Sequence, residues 1–344
     1  MKIYFKKHRI YLKYNFGISR SKNDWFDRIY VYLKKDNLTG IGEAAPSPRY
    51  NESISLVEKT LKNLIDIPQS YTNHEEIWEY LLPQLNQIKC LEAAFSMALL
   101  DYMGKIKNKT VLDLLELEQD KVHYTSYTIA IGKNSQIKEK VKEAEPYKIL
   151  KVKLGTADND KNIIKEIRNY TDKKIRVDAN EGWTLNQGLE ICEWLNKYNI
   201  ELIEQPFSSD KMKDTKKLKQ CTDIDIYADE NSCTSKDIPK IYSSFDGVNI
   251  KLMKCGSIFE AIDMIKVAKK YNLKIMLGCM IETSVAISAA AQLAGQVDLI
   301  DLDGNLLIKN DPFRGPEIHN GILKLSSNYG LGLNLKKEFN NLEI

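Results

Sequence analysis

The sequence predicts an α/β fold, a (β/α)7β barrel preceded by a smaller α+β domain, and three observations predict it. Short apolar runs between residues 149 and 254 each end in a charge that a buried strand should not tolerate: Lys153, Asp178, Glu204, Asp229 and Lys251. The steps between them are 25, 26, 25 and 22 residues, close to one strand, one helix and two short loops per unit. The chain is 344 residues long, enough for a barrel of about 250 residues and a second, smaller domain.

Taken in order, residues 2 to 14 and 28 to 35 alternate apolar and charged side chains and are expected to be strands of an antiparallel sheet. Residues 16 to 26 between them are expected to form a polar and aromatic connection, and residues 40 to 46 to close the sheet. Helical spacing covers 52 to 65, 73 to 87 and 89 to 104, the last carrying Ala93, Ala94, Met97 and Ala98. The α+β domain is therefore placed at 1–121. Residues 124 to 131 form a first barrel strand, with Thr128 lying 25 residues before Lys153. Residues 273–278 and 297–303 supply the seventh and eighth strands. The barrel is bounded at 122–311, and the tail, 312–344, is expected to return to the first domain.

Composition excludes several classes. Hydrophobic residues make up 43% and charged residues 28%, with a formal net charge of +3, so nothing presses toward nucleic acid or a membrane surface. Six cysteines without a Cys-x-x-Cys pair are expected to be reduced. No signal-peptide pattern opens the chain and no run of about 20 apolar residues occurs. A cytoplasmic location is the default, and the sequence leaves open whether copies associate.

The charged residues belong at the carboxyl ends of parallel strands, where a barrel keeps its chemistry while its interior is packed solid. Asp178, Glu204 and Asp229, with no His or Cys in their motifs, offer oxygen donors only, which suits Mg2+ at about 2.0–2.1 Å. The two-residue repeat of a strand puts Lys151 and Lys153 on one face, about 7 Å apart at Cα. At an effective dielectric near 20 their repulsion is roughly 2 kcal/mol, expected to lower one lysine pKa by about 1.5 and so favour a base. Lys251, four strands on, would stand across the axis. Two lysines facing one carbon from opposite sides can remove a proton on one face and return one on the other, while a divalent cation stabilises the enediolate. The bland alternative for Lys251 is a structural salt bridge to the carboxylates.

The Lys-x-Lys at 151–153, Asp178 to Asn180, Glu204 to Pro206, Asp229 with Glu230, and Asn249 to Lys254 together resemble the enolase superfamily in its muconate lactonizing enzyme subgroup. The likeness covers essentially the whole chain and implies a TIM-like barrel with an N-terminal capping domain. It also implies carboxylate metal ligands, Lys153 and Lys251 as acid and base, and Lys151 near the substrate carboxylate.

Asp301 and Asp303, on one face of the eighth strand, are similar to the pair that holds the free α-ammonium in dipeptide epimerases, and residues 279–283, with Cys279, resemble the same group. The substrate so implied is an L-Ala-X dipeptide, with X glutamate as the first guess and a broad or hydrophobic set as the next. Arg20 would receive the glutamate side chain, or it is a solvated loop charge with Trp25, Phe26 and Tyr50 forming an apolar lid. Thr128 joins the substrate-contact candidates by its position in the period. The same subgroup also holds N-acylamino acid racemases, o-succinylbenzoate synthases and cycloisomerases, whose substrates lack a free ammonium.

Overall fold

The computed structural model describes residues 1–19, 21–119, 121–156 and 158–344. Three antiparallel strands open the chain, β1 (Lys2–Ile18), β2 (Ser21–Lys35) and β3 (Leu38–Ala44), paired in the order β1-β2-β3. Both first strands run through the stretch expected to be a connection. Phe16 pairs with Asn23 and Gly17 with Lys22, after a register shift between Tyr11 and Phe16. The polar residues of that stretch hid a strand pairing whose partner is only a few residues away. The hairpin is held at its far end by the barrel: Ile131 N donates to Gly17 O (2.9 Å) and Ser19 Oγ to the Asn180 carbonyl (2.8 Å).

Three helices follow, α1 (Ile54–Lys62), α2 (His74–Leu81) and α3 (Lys89–Lys107), with a short α4 (Val111–Leu114). Ser53 and Asn73 cap the first two by accepting from Leu56 N and Glu76 N. Every residue of α3 from Cys90 to Gly104 is buried, so this helix is enclosed on all sides and central. It lies directly on β3. A Cβ at Gly42 would come within 1.8 Å of the Ala94 carbonyl oxygen, and one at Gly40 within 2.0 Å of that of Ala98, which is why small residues face each other there.

The barrel strands are β4 (Tyr127–Ile129), β5 (Ile149–Lys153), β6 (Lys174–Asp178), β7 (Ile200–Glu204), β8 (Asp225–Ala228), β9 (Gly247–Ile250), β10 (Lys274–Gly278) and β11 (Leu299–Asp301), all parallel and joined in sequence order. A parallel bridge between Thr125 and Ile300 brings the last strand back to the first. Eight strands were expected, and eight are present. Helices α5 (Ile137–Glu143), α6 (Asp160–Arg168), α7 (Leu185–Leu195), α8 (Met212–Lys219), α9 (Ile238–Ile241), α10 (Leu252–Cys255), α11 (Ile258–Lys270) and α12 (Ser284–Ala291) follow successive strands. Lys213, Lys216 and Lys217 of α8 and Lys266, Lys269 and Lys270 of α11 point to solvent, as expected of outer faces.

The last segment forms small pairings, β12 (Phe313–Arg314) with β15 (Asn334–Leu335) and β13 (Glu317–His319) with β14 (Ile322–Lys324). Its end lies on the first sheet, where Tyr32 donates its hydroxyl to Leu342 O (2.8 Å) and Lys6 Nζ donates to Asn341 O (2.7 Å). All six cysteines are free thiols. No helix among the described residues is long and apolar enough to cross a membrane.

Candidate active site

Strand register decides which side chains meet. Lys153 is level with Asp178 on the neighbouring strand, and Asp178 with Glu204 on the next. Asp229 follows β8, Lys251 follows β9, and Asp301 ends β11. The charges recognised in sequence thus share the carboxyl-terminal rim, and Lys151, Lys153, Asp178, Glu204, Asp229, Lys251, Asp301 and Asp303 are all buried. Non-glycine residues with left-handed backbone turn the chain behind the acids, Asn180 (φ 44°) behind Asp178 and Gln205 (φ 40°) behind Glu204. Such conformations cost on the order of 1–3 kcal/mol and persist where surroundings hold them. The Gln205 amide does so by donating to Phe207 O (2.9 Å) and Asn231 Oδ1 (2.7 Å), and its oxygen accepts from Asp229 N (2.9 Å).

Three ammonium groups from the sequence-recognised lysines interleave with the acids. Lys151 Nζ lies 2.6 Å from Asp301 Oδ2, 2.7 Å from Glu204 Oε2 and 3.2 Å from Asp178 Oδ2. Lys153 Nζ is 2.5 Å from Asp178 Oδ2. Lys251 Nζ is 2.8 Å from Asp229 Oδ2 and 3.5 Å from Glu204 Oε1. Strands β5 and β9 are four places apart in the eight-stranded order, so Lys153 and Lys251 rise from opposite walls.

The expectation that repulsion between Lys151 and Lys153 would lower one of their pKa values is not met at Lys151. Burial opposes the charge on Lys151, but Asp301, Glu204 and Asp178 together hold its ammonium well above the ordinary lysine value. Lys251 is likewise raised: burial works against it, and Asp229 and Glu204 outweigh that. Repulsion between two lysines about 7 Å apart is weaker than attraction to carboxylates in direct contact. Asp178 and Asp229 are pulled below the usual carboxylate range by their lysines despite burial. Glu204 is raised by burial and by Asp178.

Asp178, Glu204 and Asp229 suit a divalent cation by donor type, since all are hard oxygen ligands on consecutive strands. Among the described residues no three side chains are gathered closely enough to ligate one metal ion. Neighbouring acids instead converge in pairs on a shared positive charge, Asp178 and Glu204 on Lys151, Glu204 and Asp229 on Lys251. The fit to such an ion thus rests on the donor chemistry of the three carboxylates, with the lysines standing between them.

On the eighth strand the two acids differ. Asp301 is bound to Lys151 and accepts from the Ser126 hydroxyl. Asp303 Oδ2 accepts the Thr128 backbone N–H (2.6 Å), and among the described residues no lysine or arginine pairs with it. Burial and the neighbouring Asp301 push its carboxyl up to about 7. Thr128 thus acts on Asp303 through its backbone, and Cys279 Sγ donates to Asp301 O (3.3 Å). Arg20 lies outside the described residues.

Sequence reasoning assigned no role to Lys254, Ser126 or Asn249. Lys254 Nζ donates to Asp229 Oδ1 (2.6 Å), Asp229 O (2.6 Å) and Asn249 O (2.8 Å). Asn249 donates to Glu204 Oε1 (2.8 Å) in space that Gly278 leaves open, since a Cβ there would meet the Asn249 amide at 2.4 Å. Lys254 closes the motif from Asn249 to Lys254, so its charge was a visible signal. Asn249 opens the same motif, and Ser126 carried no signal.

A cavity of about 850 Å3 opens above these groups, with Lys151, Lys153, Lys251, Asp229, Asp301 and Asp303 among its lining residues.

A family model described as enolase C-terminal domain-like matches residues 135–339. Over 97% of this chain and 88% of its own length, an L-Ala-D/L-Glu epimerase of Bacteroides thetaiotaomicron is 36% identical. An L-Ala-D/L-amino acid epimerase of Pedosphaera parvula is 40% identical over 85% of this chain and 86% of its own. A crystal structure of a dipeptide epimerase from Cytophaga hutchinsonii complexed with Mg and the dipeptide D-Ala-L-Val superposes with a TM-score of 0.89 at 26% identity, covering 98% of this chain and 96% of that one.

Proposed function

We propose, from the premise that this chain belongs to the enolase C-terminal domain-like family, that it is an isomerase acting on dipeptides and inverting the α-carbon of their C-terminal residue. The observation that carries this reading is Asp303, a buried carboxylate facing the cavity without a cationic partner among the described residues. A free α-ammonium supplies the missing charge. An L-Ala-X dipeptide is the form in view. The reading includes a capping domain over 1–121, a barrel over 122–311 and a tail over 312–344.

Asp178, Glu204 and Asp229 would hold a divalent cation, Mg2+ by donor type, with Lys254 and Asn249 orienting two of the three. When bound, it supplies positive charge beside the substrate carboxylate. The chain's own residues do the rest. One of Lys153 and Lys251, as free amine, takes the α-proton; the C–H electron pair passes into the carboxylate as an enediolate. The ammonium of the other lysine then gives a proton to the opposite face, so one C–H bond breaks, one forms, and the configuration is inverted. Both lysines are buried side chains that line the cavity, where a bound substrate would displace water from around them.

Incubation with a panel of L,L-dipeptides in D2O, followed by 1H NMR, tests this. Loss of the α-proton signal of the second residue together with appearance of the L,D-dipeptide is expected. A panel in which no member exchanges overturns the reading.

A further inference from the structure

We propose that Glu43, on the last strand of the N-terminal sheet, is a positioning residue of the active site: it fixes the loop after β10 and, through that loop, the segment that carries Asp303. This rests on the dipeptide epimerase reading and deepens it, naming a residue outside the cavity on which binding of the substrate ammonium depends.

Glu43 lies on β3 and is wholly buried. Its carboxylate meets the start of α12, 240 residues away along the chain, and accepts the Thr283 N–H (3.0 and 3.1 Å), the Thr283 hydroxyl (2.6 Å) and the Ala286 N–H (3.2 Å). The first N–H groups of a helix have no partner inside it, and an acid there also meets the positive end of the helix dipole. A barrel helix is thus capped from the N-terminal sheet. Arg28, on β2, secures the residues just ahead of α12. Its Nε and Nη2 donate to Ile281 O (2.9 and 2.5 Å), and its Nε lies 3.9 Å from Glu43 Oε1. Glu282 Oε1 accepts the Met280 N–H (2.8 Å) and closes the loop on itself.

The segment after β11 packs directly on this loop. A Cβ at Gly304 would come within 2.6 Å of Met280 O and 2.9 Å of Glu282 N. Cys279 Sγ donates to Asp301 O (3.3 Å), and Asn305 Nδ2 donates to Ser284 Oγ (3.2 Å). Asp303 stands between these contacts. Backbones packed this closely leave no void to absorb a shift, so a displaced loop displaces the carboxylate with it. Glu43 and Thr283 are both fully buried and stand outside the lining of the cavity, so an effect of either on binding has to pass through the loop.

The test is steady-state kinetics by α-proton exchange in D2O on the intact protein, with whichever of L-Ala-L-Glu, L-Ala-L-Leu and L-Ala-L-Phe the parent exchanges fastest. E43Q keeps the length of the side chain and one acceptor oxygen. It is expected to raise KM by roughly threefold or more with kcat changed much less, the pattern of a weakened binding contact. KM does not depend on how much of the enzyme is folded, so partial misfolding does not imitate this result. In the double variant E43Q/D303N, KM should match that of D303N within about twofold, because a residue that acts through Asp303 has nothing left to position. Should E43Q not fold, T283V, which removes only the hydroxyl donor, and T283V/D303N carry the same expectations. An unchanged KM with only the melting temperature lowered assigns Glu43 to stability alone and overturns the inference, as does a double variant in which the two effects multiply. Either result leaves the epimerase reading intact; exchange of no dipeptide by the parent overturns both.

Discussion

The ammonium of Lys151 lies 2.6 Å from Oδ2 of Asp301, an ion pair that ties the second barrel strand to the eighth. It divides the labour between two acids that are equivalent in sequence. Asp301 is engaged by Lys151, whereas Asp303 pairs with no lysine or arginine among the described residues and is, in the proposed reading, the site of the substrate ammonium.

Replacing Asp303 by Asn should therefore raise KM for a dipeptide with kcat little changed, lowering kcat/KM by roughly ten- to a hundredfold, the worth of a hydrogen bond to a charged group. Steady-state kinetics on D303N measures it. An unchanged KM would remove the ammonium from Asp303.

Asp303 also predicts a pH dependence. Its carboxyl is raised to about 7, so it gains a proton as pH falls through 7, and dipeptide KM should climb below that value. For stability the sign is the reverse of a salt-bridged acid. A folded-state pKa above the unfolded one means the folded protein prefers the protonated form, and stability is lost as pH rises from about 4 to 7. D303N should consequently melt higher than the parent at pH 8, by on the order of a few degrees, and no higher at pH 4. Thermal melts at the two pH values check this.

Single replacement of Lys153 or Lys251 by Ala should abolish inversion while leaving one-sided chemistry. Each variant is expected to exchange the α-proton of one stereoisomer in D2O and lose at least ~100-fold on the other, with opposite preferences. NMR of L,L- and L,D-dipeptides separately distinguishes them. Identical preferences would mean the two lysines address the same face.

Chelation should remove activity, and Mg2+ should restore it. A readout free of catalysis is the melting temperature, expected to rise with Mg2+ in the parent protein and to lose that response in E204Q. A response retained in E204Q would exclude Glu204 as a ligand.

Gly42→Ala probes the frame beneath the site. Its Cβ would meet the Ala94 carbonyl at 1.8 Å, so α3 must shift off β3, at a cost of roughly 1–3 kcal/mol. A chemical denaturation midpoint equal to the parent's would show that the contact can relax.

Much of this was legible in the letters because it is periodic. The recurrence of Lys153, Asp178, Glu204, Asp229 and Lys251 marks strand tips, since a charge at the end of an apolar run has few other places to go. The hairpin was less so: residues 16 to 26 pair as strands, but their polar character matches a loop, and only the partner strand a few residues away supplies the hydrogen bonds.

By itself the sequence determined an eight-stranded barrel and the strands that bear its acids and lysines, because one-dimensional periodicity encodes which side chains share an end of the fold; the family entered through the resemblance of its motifs. Tertiary structure alone decided which acids pair with Lys151 and Lys251 and left Asp301 and Asp303 with different partners. Both depend on contacts between residues far apart along the chain, such as Lys151 with Asp301 and Lys254 with Asp229. Electrostatic energy in a buried site is set by distances of a few ångströms, and spacing along the chain does not carry them.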